Sequence, residues 1–417
     1  ATNSYTEKAT RYFYENRAEK TYPYQEFDVG RPIETPSIYD DLTNKGAVFG
    51  QSFGMEHPNW FASKIGIKDT LTFGQPNWWF PVAEEGKHIR NEVGLMEYSA
   101  MAKFKVSGPN AEHWLNFIMA NKMPKVGKII LTPMLSENGK IIGDLSISKI
   151  TDTTFLILGA DIMQLSFARH FNKYLPQEGV SIKNLSSELA GLHLCGPNSK
   201  EILSGIVNRD MTSENFGFMS CDKISVGSVC NVNILRISFT GECGYELYVK
   251  RADQRRLFDI LLSEGKSLGI RLVGTRSLMN TRLEKSFKAW GHEISPDYSI
   301  LECELSKYIN LTKKNFIGKA AISKLDMISE RFSTFTINDD NQTIWGDEAI
   351  FFNNEPVGYV TSGGWGPVTE KNIALGYILP ECYAENNSFL IEIKGKMIPA
   401  QLSIQSLYDP KGLRMYS

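Results

Sequence analysis

No run of 18 apolar residues occurs in this 417-residue sequence, so no stretch suits a transmembrane helix. Blocks of like charge are also missing. The 45 Lys and Arg residues balance 47 Asp and Glu residues. That balance argues against nucleic acid as the main partner, because neutralising phosphates needs clustered cations. Cysteines number six and form no C-x-x-C, which argues against a disulfide framework or a structural zinc site and fits a reducing cytoplasm. The six histidines form no H-E-x-x-H or H-x-H, and no protein-held metal is expected. The opening ATNSYTEKATRYFYENRAEK lacks the apolar stretch of a signal peptide. Its first residue, Ala, is what removal of an initiator Met, or a fragment, would leave. No G-x-G-x-x-G is present. Ser-Gly-Gly-Trp-Gly-Pro (362–367) lacks the terminal Lys of a phosphate loop and reads as a barrel turn, so bound FAD or NAD is not expected.

What is present divides the chain into three parts. Residues 1–84 have little periodicity but many aromatics among Pro and Gly, including Trp60, Trp78 and Trp79. Such a segment cannot build a core alone. It reads as a strap anchored on its own chain or as an interface for another; large aromatics serve both. Regular patterns fill residues 85–315. EEGKHIRNEVGLME predicts an amphipathic helix and KFKVSG an alternating strand. Residues 129–150 predict a hairpin turning at Glu137-Asn138-Gly139-Lys140, since Asn-Gly favours a tight turn. A second strand pair is expected over 232–249, and helices over 252–264 and 274–290. VSGPNAEHWLNFI (106–118) echoes LCGPNSKEILSGI (194–206). Each joins a strand through Gly-Pro-Asn to a helix, which suggests a duplicated α+β half, with chance as the alternative for so short a match. Residues 316–417 turn to short β runs between polar turns, the texture of a small antiparallel barrel.

Two acids stand out. In Ile141-Ile142-Gly143-Asp144-Leu145-Ser146-Ile147-Ser148, alternation puts Leu145 and Ile147 on one strand face and Asp144, Ser146 and Ser148 on the other. Asp144 is then either a solvated edge acid or a carboxylate facing a cavity. In Gly244-Tyr245-Glu246-Leu247-Tyr248-Val249, Glu246 and Tyr248 lie opposite Tyr245, Leu247 and Val249. Glu246 could pair with a cation across the sheet or accept two parallel N–H bonds from a planar, amidine-like ring edge.

Longer ordered segments carry a resemblance. RPIETPSIYDDL, AVFGQSFGMEHPNWF, NWWFPVAEE, PKVGKIILTPMLSENGKIIGDLSIS, RISFTGECGYELY, RLEKSFKAWGHE, NFIGKAA and GYVTSGGW span nearly the whole chain. Together they resemble the folate-binding C-terminal half of dimethylglycine and sarcosine dehydrogenases. That half is similar in turn to the aminomethyltransferase (T-protein) of the glycine cleavage system. The resemblance implies an α+β fold. Two intertwined α+β modules and a small C-terminal antiparallel β-barrel would form a ring around a central folate channel. It implies tetrahydrofolate as cofactor, with Asp144 beside the reacting carbon and Glu246 on the pterin edge. Met101 matches a position lining the folate site, and Arg276, ahead of Arg282-Leu283-Glu284, is a further candidate contact. Phe239 stands where the family commonly has Tyr, so a hydroxyl contact is lost there.

The implied activity is transfer of a one-carbon unit from a methylated amine, as iminium or formaldehyde, to give 5,10-methylenetetrahydrofolate. Direct methyl transfer from an onium or methylamine substrate, giving 5-methyltetrahydrofolate, is the alternative. A non-catalytic folate-binding subunit of a split flavoenzyme is a third reading. The dehydrogenases carry an FAD domain that these residues do not include. A separate FAD-containing oxidase subunit is therefore a candidate partner, while nucleic acid and membrane are not.

Overall fold

The computed structural model describes residues 3–325, 327–339, 341–385 and 387–417. Two sheets form its centre. One has six strands in the spatial order Cys221–Val226, Val229–Leu235, Gly244–Lys250, Leu189–Cys195, Val93–Glu97 and Ile270–Leu272; only the last pair is parallel. The other has five antiparallel strands in the order Ile129–Leu135, Ile141–Thr151, Thr154–Gly159, Ala102–Ser107 and Ser181–Asn184. The modules are intertwined. Val93–Glu97 joins the first sheet, the chain then builds the second, and it returns at Leu189 to complete the first.

Each sheet buries its outer face under helices. On the six-stranded sheet, Leu192, Leu194, Tyr245 and Leu247 pack on Ile202, Leu203, Leu257, Phe258 and Leu261. These last five come from helices Ser199–Ile206 and Gln254–Gly265, whose apolar residues recur three and four apart. On the five-stranded sheet, Leu145 and Ile147 pack on Trp114, Leu115, Ile118, Phe167 and Phe171. The inner faces meet through Ile129, Leu156 and Leu158 on one side and Cys221, Leu235 and Tyr248 on the other. The hairpin turns at Asn138-Gly139 as the sequence predicts, with Gly139 at φ 77°.

The Gly-Pro-Asn echo is structural. Gly108 and Gly196 adopt φ 130° and 131°, followed by helices Ala111–Ile118 and Ser199–Ile206. A side chain at either glycine would collide with a backbone carbonyl, that of Gly179 or of Glu92. One backbone device is used twice. The expected helix over 84–97 is only half right: the helix is Trp79–Asn91, and Val93–Glu97 is a fully buried strand. The helix expected over 274–290 ends early, at Glu284.

The C-terminal part is a closed barrel of six antiparallel strands between Arg331 and Ser403. Ser362–Trp365 belongs to a barrel strand, and the turn expected there begins only at Gly366. That turn closes on protein: Glu284 Oε1 accepts the N–H groups of Val368 and Thr369 at 2.8 and 2.9 Å. Residues 20–80 wrap the molecule. Trp60, Trp78 and Trp79 are buried, with Trp345 and Trp365 of the barrel packed against them. The buried Glu85 carboxyl ties the strap down by accepting the N–H groups of Phe61 and Gly274, each at 2.8 Å.

Arg90 joins the parts. Its buried guanidinium donates to Glu242 (3.1 Å), Glu284 (3.0 Å) and the carbonyls of Thr240 (2.7 Å) and Thr281 (2.9 Å), and it lies 4.0 Å from the Tyr408 ring centroid. Removing one partner of a buried ion pair leaves a charge unpaired in low dielectric. Arg90→Leu should therefore lose about 3–5 kcal/mol of stability, checked by urea unfolding.

Candidate functional site

The inner faces of the two sheets carry the candidate residues. Alternation along Ile141–Thr151 sends Leu145 and Ile147 into the outer core and leaves Asp144 and Ser146 half-buried on the inner side. Gly143 is required by Phe167, whose ring occupies the space a side chain there would need. Asp144 has no side-chain or ion-pair partner among the described residues, and burial alone pushes its carboxyl up to about 7. Its side chain is half-buried.

Glu246 stands on the inner face of Gly244–Lys250, between Leu235 and His193 on the neighbouring strands. Its Oε2 accepts the Tyr248 hydroxyl at 2.8 Å. Burial pushes this carboxyl up to about 7 as well, with the Tyr248 bond and distant Lys103 opposing. No cation pairs with it among the described residues; in place of the cross-strand cation considered for it, its side-chain partner is Tyr248, two residues along the same strand. Oε1 has no protein donor among the described residues. A carboxylate with an unspent oxygen and an apolar surround fits a planar ring edge that presents N–H donors.

Tyr98 and His193 complete this end. Their rings meet edge to face at 5.3 Å. Burial pushes the Tyr98 hydroxyl well above its ordinary value, with Glu246 contributing, so it stays protonated. His193 is fully buried with neither ring nitrogen partnered among the described residues, and burial pushes it down to about 4, leaving it a neutral imidazole. The sequence reading missed His193. The signal was the strand alternation of Gly191, His193 and Cys195, which face inward while Leu192 and Leu194 face the core.

The other candidates occupy different surroundings. Met101 is half-buried at the start of Ala102–Ser107, and its carbonyl accepts the Lys103 ammonium at 2.7 Å. Phe239 stacks on Phe287 (6.1 Å, 23°) and joins the cluster that contains Tyr98. Arg276 faces the strap. It pairs with Asp69 at 2.5 Å, lies 4.4 Å from the Trp78 ring centroid, and lines a separate small cavity. A broad surface groove of about 770 Å³ beside Trp60, Phe80 and Arg271 is lined by neither Asp144 nor Glu246. Tyr248 bonds Glu246 and Tyr98 lies close to it, with Phe239 packed in the same cluster as Tyr98, whereas Asp144 stands on the other sheet with no contact to Glu246 among the described residues.

Comparison with known proteins agrees with this architecture. A model of the GCVT N-terminal domain matches residues 38–313, and one of the glycine cleavage T-protein C-terminal barrel domain matches 331–409. Human mitochondrial dimethylglycine dehydrogenase is 32% identical over 408 residues, 96% of this chain and 47% of that protein. The formaldehyde-forming 4-methylaminobutanoate oxidase of Paenarthrobacter nicotinovorans is 30% identical, over 94% of this chain and 48% of its own length. The chain thus spans about half the length of these two relatives. An aminomethyltransferase of Natranaerobius thermophilus is 28% identical over 80% of this chain and 92% of its own. The crystal structure of the glycine cleavage system aminomethyltransferase T from Bartonella henselae superposes with a TM-score of 0.78 over 91% of this chain and 99% of that one, at 24% identity, and shares the fold. With both family domains matched in order over most of its length, the chain belongs to the glycine cleavage T-protein family of aminomethyltransferases and related dehydrogenases.

Proposed function

We propose that this chain is a tetrahydrofolate-dependent one-carbon transferase. It takes the unit from a methylated amine, delivered as iminium or formaldehyde, and yields 5,10-methylenetetrahydrofolate. The observation that carries this reading is Asp144: an acid without a partner, on an inner sheet face, with its carboxyl at about 7. A general base works best when its pKa lies near the working pH. Family membership and the names of the dehydrogenase and oxidase relatives, which refer to methylated amines, support the substrate class. Those names are of oxidising enzymes about twice as long as the stretch matched here, and in this reading a separate FAD-containing oxidase subunit is the source of the oxidised amine. Six unpaired cysteines support a reducing, cytoplasmic setting.

Tetrahydrofolate, when bound, supplies the amine nitrogens that accept the carbon. Glu246 holds the pterin edge through its free oxygen, and Tyr248 fixes the carboxyl's rotation. The Tyr98 and Phe239 rings wall that end. Asp144 orients the reacting amine and takes its proton on a carboxylate oxygen. Holding both reactants in one cleft adds the advantage of proximity.

The decisive experiment mixes the chain with tetrahydrofolate and a panel of methylated amines, formaldehyde and sulfonium compounds, and weighs the folate product. The methylene product supports the proposal. A methyl product from an unoxidised donor replaces it with direct methyl transfer, and tight folate binding without product replaces it with a non-catalytic subunit. Asp144→Asn should lower kcat roughly 100-fold or more. In the parent, kcat/KM should rise with pH through about 7, since the base must be ionised, and that step should vanish in the variant. Stability should move the other way. A carboxyl whose folded pKa is raised binds its proton more tightly when folded, so it weakens the fold progressively from about pH 4 to 7. Asp144→Asn should therefore raise Tm at pH 8, with the gain fading toward pH 4. Glu246→Gln should weaken folate binding roughly tenfold or more by calorimetry, because the amide turns one acceptor into a donor.

A further inference from the structure

Lys103 is 0% exposed. It lies at the seam of the molecule, just after the chain leaves the six-stranded sheet at Glu97 and enters the five-stranded one at Ala102. Its ammonium donates to the carbonyls of Ser99 and Met101, each at 2.7 Å, and so ties down the turn that begins at Tyr98. A neutral donor would serve two carbonyls as well, without the cost of burying a charge. No carboxylate pairs with the ammonium directly among the described residues. Burial pushes it down to about 8, with Glu97, Glu34 and Asp161 opposing and Arg251 adding, so it is still charged at pH 7.

Two buried acids feel that charge. Glu97 is already occupied: its oxygens accept the Ser99 N–H at 3.1 and 3.2 Å and the Gln254 amide at 3.0 Å. Glu246 is not, since only its Oε2 has a donor, the Tyr248 hydroxyl. The Lys103 ammonium stands over the Tyr248 ring, 5.9 Å from its centroid, and acts on Glu246 from behind that ring. The other groups facing Glu246 are uncharged at pH 7: Tyr98 and Tyr248 are held protonated, and His193 is a neutral imidazole. In a buried setting a charge acts beyond contact distance.

We propose that Lys103 is a positioning residue for the ligand's ring edge: its ammonium, held on the carbonyls of Ser99 and Met101 and set over the Tyr248 ring, is the countercharge through which Glu246 meets N–H donors as a carboxylate. This role rests on the reading of Glu246 as the acid that holds the pterin.

Calorimetry of tetrahydrofolate binding to the intact chain, from pH 6 to pH 9, tests it. Affinity of the parent should fall below about pH 7 as Glu246 takes a proton, and Glu246→Gln should flatten that fall. Two variants remove the Lys103 charge. Lys103→Gln still offers N–H donors to the carbonyls; Lys103→Met keeps the length and gives them up. Without the ammonium, Glu246 takes its proton at a higher pH. Both variants should therefore bind about threefold more weakly than the parent at pH 6 and equally well at pH 9, where Glu246 is ionised in all three. The role is overturned by a deficit of the same size at every pH, by a deficit in Lys103→Met alone, or by parental affinity throughout in both variants. The first two outcomes make the lysine a tether for the turn. In all three the parent still loses affinity below about pH 7 and Glu246→Gln still flattens the loss, so the pterin reading stands. A pH profile that Glu246→Gln leaves unaltered, or no binding by the parent, overturns both.

Discussion

Two sheets each turn one face toward the other, and the acids on those faces, half-buried Asp144 and buried Glu246, are largely desolvated. This constraint shapes the rest of the molecule. The outer faces supply the hydrophobic stabilisation, through helices carrying Leu257 and Leu261 on one sheet and Trp114 and Leu115 on the other. The inner faces can then tolerate Asp144 and Glu246, whose carboxyls burial lifts to about 7. Carboxyls lifted toward neutrality are the direct consequence of desolvation with no ion-pair partner among the described residues.

Not every buried acid here is of that kind. Glu242 divides its oxygens among Arg90, Tyr408 and Arg414. Glu284 gives one oxygen to Arg90 and the other to two backbone N–H groups of the barrel turn. Glu85 spends both oxygens on backbone donors and ties the strap to the helix Thr275–Glu284 region, yet its carboxyl too is lifted to about 7. A raised pKa therefore does not separate a site from a structural acid in this chain. Unspent hydrogen-bonding capacity does: Asp144 and one oxygen of Glu246 remain available, while Glu85, Glu242 and Glu284 are used up.

Much of this was legible in the sequence because alternation is local. It placed Asp144 opposite Leu145 and Glu246 beside Tyr248, and Asn138-Gly139 marked its own hairpin. It could not decide between a solvated acid and a cavity acid, because that depends on which sheet lies across the gap, and the strands involved are about a hundred residues apart. The helix over 84–97 failed for a related reason. Ile89, Val93 and Met96 fall at helical spacing, but Val93–Glu97 is a strand because Leu189–Cys195 and Ile270–Leu272 pair with it on either side. Pairing partners so distant in sequence override a local pattern. His193 escaped notice because a lone histidine in an apolar strand carries no motif. The resemblance supplied roles for Met101, Phe239 and Arg276, but not the Asp69 and Trp78 contacts that turn Arg276 toward the strap.

The strap gains a further meaning from the same criterion of unspent capacity. Its tryptophans are anchored on the barrel, and Glu85 fixes its return strand, so it is part of the folded body. At its junction with the barrel the surplus is of donors, on Arg276, Arg282 and Trp345, whereas between the sheets it is of acceptors, on Asp144 and Glu246. The acceptors stand on sheet faces and the donors behind the strap, so the two surpluses belong to separate surroundings.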